Sequence, residues 1–430
     1  MKKWIVAALL VLAVVMVAPW GVGVLTEQQW AQAEAQMNAQ QEMLAMDTRT
    51  YERSYFGADV AGVLRIQDPS SGDMVDVPYQ GEVSHGLLSS QIDLQLGDPG
   101  SELMQQLFPE DQPSISTTVN AWGTADIVFT VPAIDARDEE TGESLKAFEL
   151  IGRLVIADKG GSFELDVDWQ GMVALGPDAG FTVNNLLLHQ SMERLRGDVW
   201  TGTGTIEIDT VTARLEGQPE LSLQGLSLDS TTRAGEGGDS FSTDTAIEIG
   251  QATSAAGESG PYRARFAMEE LDVDAWNGLL AAFAELQMLN AASSQEQSQQ
   301  QLMEQQMQAI DSLNASLRRL AAGGFAIGFP EVGLTFPEGR VTGELMLRHP
   351  ELSQQEAEDM ALVMERLTGN LDLRLPAELV SSQPALLNQM APLIEQGLIT
   401  PDGEDYVLDA ELENLQLDVN GTLIPLPPMI

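Results

Sequence analysis

Three histidines, His85, His189 and His349, are the first residues to test for chemistry, because imidazole titrates near neutrality. They lie far apart in the chain. None belongs to an H-x-x-x-H or H-E-x-x-H pattern, so no zinc site is read from them. Asp166/Asp168 and Asp272/Asp274 are D-x-D pairs. A period of two would put each pair on one face, where carboxylates can hold Ca²⁺. Neither pair has the further ligands and the glycine of an EF-hand loop, and no metal is assigned. Gly257-Glu258-Ser259-Gly260 is one residue short of a G-x-S-x-G nucleophile elbow. There is no P-loop and no G-x-G-x-x-G following a strand. The chain has no cysteine, which removes thiolate ligands, thiol nucleophiles and disulfides. No catalytic residue and no cofactor is assigned, and the chain reads as non-enzymatic. A hydrolase using two of its 65 acidic residues is the enzymatic alternative.

The elements that would position these residues begin with an uncharged run from Trp4 to Leu25. It is long enough to cross a bilayer as a helix. Lys2 and Lys3 flank it on one side, and Trp4 and Trp20 stand near its ends, where interfacial Trp is common. This predicts a single-pass membrane anchor with the rest of the chain outside the cytoplasm. The pattern lacks the A-x-A site of a cleaved signal. The formal net charge is -44, and beyond the flank the only lysines are Lys146 and Lys159. Such a surface repels nucleic acid, whose binding needs clustered Lys and Arg.

Residues 26–47 are polar with spaced apolar positions and read as a helical stalk. From about 48 to 271 the period becomes two. Phe163, Leu165, Val167 and Trp169 alternate with acidic residues, and Asp158-Lys159-Gly160-Gly161 reads as the turn of a hairpin ahead of them. Phase slips after Ile208, across Gly225 and after Leu412 predict bulges or turns. Residues 272–322 read as a helical hairpin, with Asp274 placed to cap its first helix. Residues 323–430 return to strands around a helix that Ser353 and Glu356 would open as a capping box and Gly369 would end. The predicted class is α+β: an N-terminal transmembrane helix (1–25), then an elongated body with a large, curved, mainly antiparallel sheet and a few amphipathic helices.

Several landmarks then occur in an order that resembles the YdgA-like family of bacterial envelope proteins. Tyr51-Glu52-Arg53-Ser54-Tyr55-Phe56-Gly57-Ala58 is similar to that family's Y-x-R-G-x-F-S-S segment, with Ser54 for its Gly and Gly57-Ala58 for its Ser pair. His85-Gly86-Leu87 resembles an H-G-P element with Leu for Pro. Asp272 and Trp276 stand where the family opens its mid-chain helix, and Asn420-Gly421 where it has a C-terminal N-G turn. The resemblance implies a bacterial inner-membrane protein with a large periplasmic part, and supplies no catalytic residues.

The leading expectation is therefore a membrane-anchored envelope protein that presents a one-face-apolar sheet to lipid or to a protein partner. The alternative is an assembly module that forms homo-oligomers through the stalk and the Met- and Gln-rich helices, supporting surface machinery or motility.

Overall fold

The computed structural model describes residues 30, 31, 34, 38, 44–54, 56–67, 74–98, 100–255, 257–292 and 299–426. They divide into two units. Unit 1 runs to Ser191 and takes in Ala213–Gly217; unit 2 comprises Met192–Thr212 and Gln218 onward.

Unit 1 is a run of antiparallel strands: β1 (Leu44–Arg53), β2 (Gly57–Gln67), β3 (Met74–His85), β4 (Ser89–Leu96), β5 (Ser114–Asn120), β6 (Ala125–Val131), β7 (Ile134–Arg137), β8 (Ser144–Ala147), β9 (Leu150–Ala157) and β10 (Ser162–Leu175). A short helix, α1 (Glu102–Leu107), precedes β5. β1 to β6 pair in chain order. β6 then passes over the β7–β8 hairpin to pair with β9. β10 pairs along its first half with β9 and at its end with β8. The alternation is visible in β2 to β4, where Ala58, Val60, Val83, Ile92 and Leu94 are buried and the residues between them are wet. Trp30, Met46, Tyr51 and Leu64 pack against this core.

Trp30, Ala31, Glu34 and Asn38, in the segment read as a stalk, are helical and fold back on β1. Trp30 Nε1 donates to Thr48 Oγ1 at 2.9 Å, and that hydroxyl lies 2.8 Å from the Tyr79 hydroxyl. Glu34 accepts from Thr48 N–H, and Asn38 exchanges two hydrogen bonds with Met46. Tyr79 is 2% exposed and fits because its cross-strand neighbour is Gly62. A Cβ at Gly62 would stand 2.3 Å from Asp47 O and 2.5 Å from the Tyr79 hydroxyl.

The division between the units falls inside β11 (Ala179–Arg196) and β12 (Val199–Leu215). Unit 2 continues with β13 (Leu221–Ala234), β14 (Ser240–Ser254), β15 (Gly257–Ser259) and β16 (Tyr262–Asp272). Next come α2 (Val273–Ala292), α3 (Gln299–Gly323), β17 (Phe325–Phe336) and β18 (Gly339–His349). After α4 (Gln354–Ala357) and α5 (Met360–Glu365) follow β19 (Thr368–Pro376), α6 (Ala377–Ser382), α7 (Pro384–Glu395), β20 (Thr400–Asp402), β21 (Asp405–Glu413), β22 (Gln416–Val419) and β23 (Thr422–Pro425). The pairing β13–β14–β16–β17–β18–β19–β21–β22–β23 is antiparallel throughout. Val199, Phe241, Leu271, Val273 and Leu320 form a core where strands meet α2 and α3.

These observations correct the α+β expectation. About 60% of the structure is strand and 20% helix, so the class is mainly antiparallel β. The physical reason is the length of the strands, which reach 18 residues and leave little chain for helices. Among the described residues no helix is long and apolar enough to cross a membrane. The predicted transmembrane helix, with Lys2, Lys3, Trp4 and Trp20, lies outside the described residues. The Ser353–Glu356 capping box forms, but on a four-residue helix; Asp359 then caps a second short helix, and Gly369 lies in a strand. The slip after Leu412 is a turn in which Asn414 and Leu415 both have positive φ. β13, by contrast, runs through Gly225 without a register shift against β14.

One arrangement was not legible in the sequence. Glu52 faces Asp59, Asp59 faces Glu82, and Glu82 faces Asp93, a row of exposed carboxylates across four strands. Like charges directly opposite one another destabilise a sheet. Asp93 is relieved by Ser116 Oγ at 2.6 Å and Gln91 Nε2 at 2.9 Å. A shorter row, Glu344–Asp372–Asp409, crosses unit 2.

Two stability predictions follow from this geometry. Glu82→Gln is expected to raise unfolding stability by about 0.2–1 kcal/mol, toward the lower end because these groups are solvated. Urea unfolding at low and high salt checks it: the gain should shrink as salt screens the row, and no gain at low salt would refute it. Gly62→Ala should cost about 1–3 kcal/mol by overpacking the Tyr79 niche; an unchanged urea midpoint would contradict that.

Candidate functional site

His85, at the end of β3, is 7% exposed, and its Nδ1 lies 3.0 Å from Ser90 Oγ at the start of β4. A hydroxyl beside an imidazole is the geometry of an activated nucleophile. Here, however, Ser90 is 1% exposed, so no substrate reaches it. His85 Nε2 is buried with no hydrogen-bond partner among the described residues, so no third group orients the ring. The pair ties the β3–β4 turn. Burial, and secondarily the charge of Arg53, hold the imidazole pKa below its ordinary 6.5.

His349 is 5% exposed and stacked on Phe325. Its Nδ1 lies 2.8 Å from Pro350 O and its Nε2 2.9 Å from Val363 O, which pins α5 to the end of β18. His189 Nδ1 lies 2.7 Å from Asp166 Oδ1. With Glu164 they bring three ligand atoms within 4.8 Å of one another, all on exposed side chains. Asp168 is not part of the group. At 2.7 Å, Asp166 and His189 form a hydrogen-bonded pair, and all three side chains of the group are exposed.

The second D-x-D pair is divided between two structural tasks. Asp272 Oδ1, not Asp274, accepts the Ala275 N–H at the start of α2, at 2.7 Å. Asp274 instead faces Arg196, which also pairs with Asp239 at 2.9 Å. Trp276 packs edge-on against Phe241 with centroids 5.8 Å apart. Asn420 and Gly421 both have positive φ, as a two-residue hairpin turn between β22 and β23 requires. The Asn420 amide also donates to Leu398 O and Val407 O. These four positions are structural.

The remaining family-like positions converge at one end of unit 1. Tyr51 sits in the core beside Trp30. Arg53 and Phe56 flank the β1–β2 turn and are exposed, Phe56 by 66%. His85 N–H donates to Phe56 O at 2.7 Å, and Gly86 N–H to Ser89 O at 2.8 Å.

A cleft of about 620 Å³ with largely apolar walls lies at the other end of unit 1. That volume falls in the range of small-molecule pockets. Ala136, Leu145 and Ala174 form one cross-strand row over β7, β8 and β10. Leu175, Phe181 and Leu215 join them, and these three stay 44%, 42% and 59% exposed. Arg137 and Arg214 also line the cleft, and neither guanidinium is ion-paired among the described residues. Arg214 lies over Gly180, with Nε and a terminal nitrogen 3.6 Å from where a Cβ would stand. Asp138, on the rim, is occupied by the N–H groups of Glu140 and Thr141, which hold its carboxyl below the usual range. Sequence reasoning missed the cleft because its residues come from six separated segments. An arginine inside an otherwise apolar strand end, Ala213-Arg214-Leu215, was the available signal.

The sequence profile of a family described as bacterial protein of unknown function (DUF945) matches residues 1–427. No curated protein and no solved structure matches the chain.

The depressed pKa of His85 gives a pH dependence. Its stabilising contribution is present above about pH 6.5 and is lost as pH falls below that through the lower folded-state value, because the unfolded state binds the proton more readily. The thermal midpoint should therefore fall more steeply on acidification in the wild type than in His85→Asn. Parallel curves would remove His85 as the source.

Proposed function

We propose that this chain, a protein that belongs to the DUF945 family of bacterial proteins, is a non-enzymatic binding protein of the cell envelope that holds an amphiphile in the cleft of unit 1. The apolar row Ala136–Leu145–Ala174, with Leu175, Phe181 and Leu215, receives an acyl chain. Arg137 and Arg214 receive an anionic head group by charge-assisted hydrogen bonds. The observation that carries this reading is the pairing of apolar walls with two uncommitted guanidinium groups in a chain of net charge -44. Acidic side chains outnumber Lys and Arg by 65 to 21, so two neighbouring arginines with no ion-pair partner among the described residues stand out, and an anionic head group would give both a partner.

The Lys2-Lys3 flank ahead of an uncharged run supports export from the cytoplasm. The ordered motif set supports a finer placing among YdgA-like proteins, on the periplasmic side of the inner membrane. A second reading, self-association, is favoured by the α2–α3 hairpin, where Leu280, Phe283, Met307 and Ile310 remain 37–61% exposed. Sedimentation of Phe283→Asp/Ile310→Asp against the wild type separates it: a mass that does not change ends that reading.

Binding of radiolabelled palmitate to the purified full chain tests the leading proposal. Ala174→Trp should fill the cleft and weaken binding roughly tenfold or more, about 1.4 kcal/mol. Arg137→Gln/Arg214→Gln, at exposed positions, should do the same with an unchanged circular dichroism spectrum. Wild-type affinity in the arginine variant, or no binding by the wild type, would overturn it.

A further inference from the structure

We propose that the turns at the His85 end of unit 1 enter the surface of a lipid bilayer. Three neighbouring turns carry four large apolar side chains outward. Phe56 is on the β1–β2 turn, Leu87 and Leu88 on the β3–β4 turn, and Trp122 on the β5–β6 turn. They are 66%, 46%, 61% and 64% exposed. The turns are bound to one another: His85 N–H donates to Phe56 O at 2.7 Å, and Ala121 N–H to Leu88 O at 2.8 Å. The four side chains are therefore held at one edge on a paired framework.

Hairpin turns in water are ordinarily polar, and scattered single apolar residues need no explanation. Four together at one edge do, and their chemistry fits lipid. Trp partitions to the bilayer interface, and Phe and Leu favour the acyl boundary just below it. The local charge agrees. Lys159, one of two lysines beyond the N-terminal flank, sits on the β9–β10 turn with its Cγ 3.1 Å from where a Cβ of Gly123 would stand. Arg53 is exposed beside the first turn. With Asp158 on the same turn as Lys159, these cations bring the edge toward neutrality in a chain of net charge -44, which a zwitterionic lipid surface tolerates.

The carboxylate row sets a limit to the depth. Glu82 lies three residues before His85 along β3, about 10 Å at the rise of a strand. That matches the roughly 5–10 Å to which interfacial elements sink. The tip reaches the acyl boundary while Glu52, Asp59, Glu82 and Asp93 stay in water. A protein groove is the alternative occupant of such a tip. Lipid is favoured because the side chains project from separate convex turns and the cations stand beside them. This surface is separate from the amphiphile cleft and does not depend on it.

The absence of native cysteine makes the test direct. Leu88→Cys, Trp122→Cys and, on the remote β7–β8 turn, Glu140→Cys are each labelled with the fluorophore NBD in the full chain. Each protein is then reconstituted with zwitterionic phosphatidylcholine vesicles that carry lipids spin-labelled near the head group. Emission from positions 88 and 122 should shift to the blue and be quenched, while position 140 should do neither. Position 140 reports attachment of the chain without insertion of these turns, and the aspartate variants separate insertion from mere nearness to the bilayer. Adding Phe56→Asp and Trp122→Asp to the protein labelled at 88 should abolish its shift, which excludes insertion by the dye alone. Absence of quenching at 88 and 122, equal quenching at 140, or a shift that survives the aspartates would overturn the proposal.

Discussion

Antiparallel backbone pairing between strands that follow one another in the chain is the interaction on which everything else here rests. No disulfide closes any hairpin, so each strand is held by its ladder and by one apolar face. Pairing with the preceding strand keeps the closed loops short and the entropy of closing them small. The exception in unit 1 is informative. β6 skips β7 and β8 to reach β9, and the displaced hairpin lies against the end of β10. That displacement sets Ala136, Leu145 and Ala174 in a row, and so the cleft is a product of the sheet's connectivity.

Charge is distributed unevenly over this frame. Arg153 meets Asp126, Arg263 meets Glu248, and Arg265 meets Asp244 across strands. Arg65 stands between Asp47 and Asp76. With so few cations, several carboxylates lie opposite one another, and Glu52–Asp59–Glu82–Asp93 is where this is concentrated. Individual surface pairs contribute little. The pattern matters more for which surfaces repel and which accept a neighbour than for total stability.

Alternation made the strands legible. Phe163, Leu165, Val167 and Trp169 are more covered than the acidic residues between them, and the Asp158–Gly161 turn connects β9 and β10. Capping was legible by type and misplaced by two residues: Asp272 does what Asp274 was read to do, because Arg196 arrives from a strand far away in sequence. The Ser353 capping box was legible, but the length of its helix was not, since Asp359 offers a competing cap. The cleft, the carboxylate rows and the apolar turns were not legible. Each is built from residues on different strands, and register, which decides who faces whom, is written in no single segment. The motif positions Arg53, Phe56 and His85 were noticed as a pattern; what unites them is the adjacency of two turns.

The Asn420-Gly421 turn has a bearing on the lifetime of the polypeptide. An Asn followed by Gly is the dipeptide most prone to lose its side-chain amide, because the next backbone nitrogen can attack it with little hindrance. Here the amide nitrogen is donated to Leu398 O and Val407 O, and the amide oxygen accepts from Asp409 N–H. The Gly421 nitrogen is itself donated to Asp418. Both reacting partners are held by other bonds while the strands stay paired. Deamidation at this bond would then record the time the C-terminal hairpin has spent open, a chemical clock of local unfolding.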